Sequence, residues 1–374
     1  MAYGTVSADI VQSSVSGVSL GAGNATLMKN RFINGAFNVN QYNLGTVTPT
    51  ANQYIIDRWL SNVSVASKFS VAQSSVAPAG FTNSALITST SAYTVASSDY
   101  ETFQQRIEAN NMLDMGWGTA NAKTVTLSFW VNCSLTGTFG GSIYFPASTT
   151  RSYPFSYTIS AANTWQQIAI TIPGDTVTNT APTGTNLYCI VQWALGVGST
   201  YTTTAGSWVN GNYASSTGAT NLIATNGATF YLTGVQLEVG SSATGFEYRQ
   251  YGQEFALCQR YLPAFNSVGA ANQVEMITTG WVSNGASTAQ FIFNYIVAPR
   301  VRPTGLTCIN YNSFQINAAV GGGLASSVTF LDASTAGARF QVGQSGMTTG
   351  QACQLYYDNT TSAVGQLLFT GCEL

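Results

Sequence analysis

Chemistry in this chain has few places to come from. Its 374 residues hold 14 Asp and Glu, 12 Lys and Arg, and no His. Without imidazole there is no Ser-His-Asp or Cys-His nucleophile system, no His-ligated zinc and no His proton shuttle. Paired carboxylates remain, and the closest pair is Asp99 and Glu101 in SSDYETF, which share a face if that piece is extended. Glu108 and Asp114 follow soon after, while Glu101 or Glu108 could instead pair with Arg106. Glycoside hydrolysis would need two such groups about 5–10 Å apart, a distance that sequence spacing does not supply. The expectation is a protein that is not an enzyme and has no catalytic residues.

Metal and cofactor chemistry finds no better footing. No DxDxDG run is present, and neither Asp57 nor Asp175 makes a calcium site alone. Asp57, beside Arg58 and Trp59, reads as pinning a strand end by a local ion pair. The six cysteines (Cys133, Cys189, Cys258, Cys308, Cys353, Cys372) include no CxxC pair. They read as buried thiols, with a Cys353 to Cys372 bridge left open. The glycines at 321–323 lack the Lys and Ser/Thr of a phosphate loop and read as a turn. No metal and no cofactor are expected.

Recognition asks for different parts: aromatic faces to stack on sugar rings, and amides and hydroxyls to bond their oxygens. In GVGSTYTTTAGSWVNGNYASSTG the aromatics Tyr201, Trp208 and Tyr213 stand in a long polar stretch, and these are the candidate glycan-binding residues. The competing reading tucks that loop back onto the fold. Trp59, Trp130, Trp165 and Trp193 lie on or beside apolar strands and read as core. Arg300 and Arg302, around Val301, suit either solvent or a subunit interface. The net charge of -2 and the lack of any basic run argue against nucleic-acid binding.

The elements that must position these residues are strands. Hydrophobic residues make up 45% of the chain and charged residues 7%, against roughly 25% charged in ordinary soluble domains. No stretch approaches the roughly 20 apolar residues of a membrane helix, and MAYGTVSADIVQ lacks a secretory signal's regions, so synthesis and folding in a cytosol are expected. TVTLSFWVNC puts Val125, Leu127, Phe129, Val131 and Cys133 on one face, and WQQIAITIPGD does the same with Ile168, Ile170 and Ile172. Further strands are readable at FYLTGVQLEV, QFIFNYIV, SVTFL, ARFQV and GQLLFT. One helix follows FEYR, with Tyr251, Phe255, Cys258 and Leu262 in a seam that ends at Pro263, and a second is conceivable near QQRIEANNML. The fold class is all-β: an N-terminal extended segment over 1–28, too poor in apolar mass for a core and expected to order against a partner; a jelly-roll-like β-sandwich over 29–245; a short connector helix over 246–264; and a second, smaller β domain over 265–374.

Several segments carry a family resemblance. MAYGTVSADIVQ, Gly23 to Gln41, the YIIDRW box at Tyr54 to Trp59, SFWVNC and above all Phe230 to Leu262 resemble tail-fibre and related appendage proteins of tailed bacteriophages. Beyond residue 264 the likeness is loose, through CQRYL and the segment Ala298 to Thr304. The resemblance implies an N-terminal peptide fixed to the virion, a sandwich similar to carbohydrate-binding modules, a connector and a C-terminal β domain, assembled as a homotrimer. Ile10, Val11 and Val15 are then the apolar contacts for virion anchoring. The implied role is a viral structural protein, a tail fibre assembled in the host cytoplasm that recognises a host-surface glycan. A capsid fibre or decoration protein and a glycan depolymerase stay open as alternatives.

Overall fold

The computed structural model describes residues 28–43, 45–267, 273–285, 287–359 and 364–374. The anchoring candidates Ile10, Val11 and Val15 lie outside the described residues. The chain divides into two compact units, Met1–Tyr251 together with Leu374, and Gly252–Glu373. Among the described residues no helix is long and apolar enough to cross a membrane.

The first unit is a sandwich of antiparallel sheets. Its strands are β1 (Gln53–Ile56), β2 (Trp59–Val63), β3 (Phe69–Ser74), β4 (Ser84–Ser89), β5 (Tyr100–Glu108), β6 (Val125–Cys133), β7 (Gly137–Phe145), β8 (Arg151–Ile159), β9 (Gln166–Ile172), β10 (Leu187–Val197), β11 (Thr202–Thr203), β12 (Val209–Asn210), β13 (Ser215–Ser216) and β14 (Thr229–Val239). One sheet runs β1-β2-β5-β10-β7-β8-β12 and the other β3-β4-β14-β6-β9. Period-two alternation builds the space between them. Val125, Leu127, Phe129, Val131 and Cys133 on β6 are all fully buried, and β10 sends Cys189, Val191, Trp193 and Leu195 inward. Trp59 stacks on Phe37 at 4.6 Å and on Phe103 at 5.2 Å, and Trp193 meets Phe129 edge-on at 5.4 Å. Trp59 and Trp193 are core as expected, whereas Trp130 and Trp165 are half-buried.

The segment from Lys29 to Val39 closes one side of this core. Trp59 Nε1 donates to the Asn34 carbonyl at 3.0 Å, and Val235 N–H donates to the Gly35 carbonyl at 2.9 Å. A Cβ at Gly35 would stand 2.2 Å from the Val235 oxygen, so only glycine permits that approach. The carboxylate of Asp57 is bonded by the Gln41 main-chain N–H at 2.5 Å and by Gln41 Nε2 at 2.6 Å. Gln41 supplies these hydrogen bonds, and the neighbouring Arg58 charge acts on the carboxylate as well. Arg58 also donates to the Arg106 carbonyl at 2.5 Å.

Two helical expectations change. QQRIEANNML is not a helix: β5 runs through Glu108, and single 3-10 turns follow at Ala109–Asn111 and Leu113–Met115. Phe103, Gln105 and Ile107 face inward while Gln104 and Arg106 face out, a strand's period of two. Helix α1 spans Tyr251–Gln259. It falls almost wholly in the second unit and stops short of Pro263; Cys258 is buried, whereas Tyr251 is largely exposed.

In the second unit the strands are β15 (Ala264–Asn266), β16 (Gln273–Asn284), β17 (Thr288–Asn294), β18 (Gly305–Ile309), β19 (Phe314–Ala318), β20 (Gly323–Leu324), β21 (Ser327–Ala333), β22 (Gly337–Gly343), β23 (Ala352–Asn359) and β24 (Gln366–Thr370). They form a three-stranded sheet, β15-β24-β18, and a seven-stranded one, β20-β19-β23-β16-β17-β22-β21. Phe291, Phe340, Leu355, Leu367 and Phe369 fill the core. Arg300 is partly exposed and donates to the carbonyls of Cys372 at 2.8 Å and Glu373 at 2.7 Å. All six cysteines are free thiols, which removes the Cys353 to Cys372 bridge.

Candidate functional site

A cavity of about 280 Å³ opens on the outer face of the seven-stranded sheet of the first unit. Because side chains alternate, every second residue of β2, β5, β10 and β7 points away from the core and toward it. Register then brings distant residues side by side: Gln104 lies opposite Gln192 and Gln192 opposite Ser142, while on the next outward rung Arg106 lies opposite Ile190 and Ile190 opposite Tyr144. Asn62 adds an amide from β2, and Tyr100 stands at the start of β5.

The remaining wall comes from the long excursion between β10 and β14. Its first turn, Ser199–Tyr201, brings Tyr201 edge-on to Tyr100 with ring centroids 5.3 Å apart, and Asn212 and Ala214 follow on the return. The excursion is tied down at several points. Ala214 N–H donates to the Tyr201 carbonyl at 2.8 Å, the Ser152 hydroxyl donates to the Gly211 carbonyl at 2.7 Å, and Tyr213 N–H donates to the same Ser152 oxygen at 3.0 Å. A long loop held this way is a fixed wall.

The floor is polar and buried. Gln192 Nε2 donates to the Ser142 hydroxyl at 2.9 Å, and both residues are nearly closed to solvent. Gln104 is 1% exposed; its Oε1 receives only a long bond from the Thr102 hydroxyl at 3.4 Å, and its Nε2 has no partner. Arg106 donates through Nη1 to the main-chain oxygen of Leu374 at 2.9 Å, and its Nε is buried without a partner. Both donors are closed to solvent, so they belong to the packing behind the cavity surface. Three tyrosine rings among amide side chains are the parts a sugar needs: apolar ring faces meet the aromatics, and hydroxyls bond the amides.

The structure separates the three residues expected to bind glycan. Tyr201 lines the cavity. Trp208 lies elsewhere, edge-on to Trp117 at 5.2 Å and Tyr153 at 5.5 Å, with Nε1 donating to the Pro173 carbonyl at 2.7 Å. That is the tucked-back arrangement. Tyr213 is half-buried over Gly211 and does not line the cavity. Gln104, Arg106, Ser142, Tyr144 and Gln192 were not foreseen. The available signal was a glutamine between Val191 and Trp193 on a strand whose alternate residues are all apolar.

The acidic residues considered for catalysis are held by structural bonds away from the cavity lining. Asp99 accepts from the Tyr93 hydroxyl at 2.8 Å and Ala96 N–H at 2.7 Å. Glu101 Oε1 accepts from Ser64 N–H, the Ser64 hydroxyl and Val65 N–H at 3.1, 2.8 and 2.7 Å, while its Oε2 is buried without a partner. Burial pushes the Glu101 carboxyl up to about 7, with the nearby Asp99 charge adding to it and the Ser64 and Val65 bonds opposing it. Burial likewise raises Asp57 to about 6 against its Gln41 bonds. Glu108 accepts from Asn110 Nδ2 at 3.0 Å, and Asp114 pairs with Arg31 at 2.7 Å. Asp175 forms a buried two-pronged pair with Arg151, at 2.8 and 3.0 Å. Among the described residues no three His, Cys, Asp or Glu gather as they would around a metal ion.

No protein-family model matches the sequence, and no curated protein matches it. Solved structures similar to part of the chain include the enzymatically active domain of tailspike protein 4 from bacteriophage CBA120, at 12% identity and a TM-score of 0.31, covering 57% of this chain and 22% of that one. A putative sugar binding protein from Bacteroides thetaiotaomicron is 12% identical with a TM-score of 0.35, covering 56% of this chain and 100% of that one. The family 11 carbohydrate-binding module of the cellulase Lic26A-Cel5E of Clostridium thermocellum is 12% identical with a TM-score of 0.29, covering 54% of this chain and 98% of that one.

Proposed function

We propose that the chain is a structural virion appendage of a tailed bacteriophage, a homotrimeric tail fibre whose sandwich recognises a host-surface glycan during attachment. The observation that carries the recognition half is the cavity of the first unit, lined by Tyr100, Tyr144 and Tyr201 together with the buried amides of Gln104 and Gln192. The groups lining it, aromatic rings, amides and one guanidinium among them, support a binding role. The virion half is supported by the segments of the sequence that resemble phage appendage proteins, Phe230 to Leu262 foremost.

The two halves are tested separately. Immunogold labelling of purified particles with an antibody to the second unit tests the location. Label at the tail is expected; label over the capsid would make the chain a head fibre or decoration protein, and unlabelled particles would overturn the virion reading. Deleting residues 1–28 is expected to abolish incorporation into particles while the sandwich still folds. A glycan array probed with the intact chain tests recognition, and binding that Tyr201→Ala and Gln104→Leu both weaken is expected. Release of reducing ends from host polysaccharide would replace binding by turnover.

A further inference from the structure

The seven-stranded sheet of the second unit turns Val282, Phe291, Phe340 and Leu355 into its core, and the residues that alternate with them face out. A sheet face kept in water is ordinarily polar. This one is not: Val274 is 65% and Met276 67% exposed on β16, Leu324 57% on β20, Ile292 45% on β17 and Trp281 38% on β16. Pairing registers gather them. Leu324 lies opposite Gln315, Gln315 opposite Tyr356 and Tyr356 opposite Met276, one rung across four strands. Trp281 lies opposite Gln290, two residues along β17 from Ile292, and so stands diagonal to it. The charged side chains described on this face, Arg339 and Asp332, pair with each other at 2.5 Å, and Gln290, Gln341 and Thr329 fill the rung beside them.

The size and the charge of the face say what covers it. Seven strands about 4.8 Å apart, of about seven residues each at about 3.3 Å, make a surface of roughly 700 Å². A stable protein association covers about 800 Å² on each partner, so the face has the extent of a protein interface. Its composition fits as well, with Met, Trp and Tyr set among amides and hydroxyls, as interface cores poor in Lys and Glu are. Because its ion pair is closed on itself, the face meets a copy of itself without like-charge repulsion and offers a strongly charged partner no counterpart. Resting on the reading of the chain as a homotrimeric appendage, we propose that this outer face of the second unit is where copies of the chain meet, with Met276, Trp281, Ile292 and Leu324 buried between them. Around a threefold axis the face of each copy touches both of the others.

The test is sedimentation of the intact chain over a range of concentrations. The native chain is expected to associate. Met276→Glu and Trp281→Glu put a charge on the face without entering the core, and each is expected to weaken association by at least about a hundredfold while keeping the native circular dichroism spectrum. Gln167→Glu, an exposed charge on β9 of the first unit, is expected to associate as the native chain does. Hydroxyl-radical labelling of the native chain needs no variant: Met276 and Trp281 are expected to oxidise less in the associated chain than after dilution. Association that survives both face variants, with Met276 and Trp281 as reactive as in the dilute chain, overturns the inference and leaves the homotrimer reading standing on another surface. Association in pairs that both variants abolish supports the face and overturns the threefold number. A chain that stays single at every concentration overturns both, and loss of host-cell attachment in Trp281→Glu would then give the face to a host-surface partner.

Discussion

Replacing Glu101 by Gln is expected to stabilise the first unit, and to do so only where the carboxylate is ionised. Glu101 is fully buried, one of its oxygens has no partner, and its carboxyl sits near 7 against an ordinary 4.5. The folded-state value is raised, so folding favours the proton. The stabilisation this provides is complete below about 4.5 and is lost as pH rises through 7. A shift of this size corresponds to about 3 kcal/mol between the two ends of that window. Asp57, raised from 3.8 to about 6, acts in the same direction over a lower window. The native chain is therefore expected to melt at a lower temperature at pH 8 than at pH 5. Glutamine keeps an oxygen for the Ser64 and Val65 donors and carries no charge, so Glu101→Gln removes only the Glu101 part of that decline. Unfolding followed by tryptophan fluorescence reports mainly on the first unit, which holds all the tryptophans but Trp281. A gain on the order of 2 kcal/mol at pH 8, shrinking to nearly nothing at pH 4.5, is expected. A variant less stable than the native chain at pH 8, or a difference that does not change with pH, would refute the reasoning.

Three further outcomes follow from contacts already described. Trp208→Ala removes the packing on Trp117 and Tyr153 and the bond to Pro173, and is expected to cost about 2 kcal/mol of stability in chemical denaturation while sugar affinity at the separate cavity holds. Asp175→Asn strands the buried Arg151 charge and is expected to cost about 3–5 kcal/mol, most of it recovered when Arg151→Met is combined with Asp175→Leu. At Gly141 a Cβ would stand 2.3 Å from the Gln192 carbonyl and 2.5 Å from the Phe155 ring; Gly141→Ala is expected to lower stability by about 1–3 kcal/mol and, by shifting β10, to weaken sugar binding as well.

The sheets were legible because their inward residues alternate. Val125 to Cys133 reads as a strand without help, and β14, β17, β21, β22 and β24 lie where apolar periodicity put them. Polarity hid β5: Gln104, Gln105 and Arg106 in a row carry no hydrophobic alternation, and Phe103 and Ile107 are four apart, which suits a helix as well as a strand. The cavity was illegible for a related reason. Its lining draws one or two residues from each of several strands, and only the pairing registers between strands far apart in the chain bring them together. The prominent loop aromatics gave one residue of the site, Tyr201. Trp208 met the same compositional criterion, but an indole offered a nearby carbonyl and three aromatic neighbours is more stable packed than wet.

The alternation along β10 has a consequence for how such a protein changes over generations. Val191 and Trp193 serve the fold, and Ile190 and Gln192, interleaved with them, serve the cavity. The two sets share a backbone but no side-chain volume. Substitutions in the outward set can therefore change what the cavity accepts while the inward set keeps the sheet intact, and the wall contributed by the loop after β10 can vary in length without disturbing either. Selection acting on the cavity would concentrate its mutations at every second position of β5, β7 and β10, leaving a periodic signature of variation over an unvarying interior.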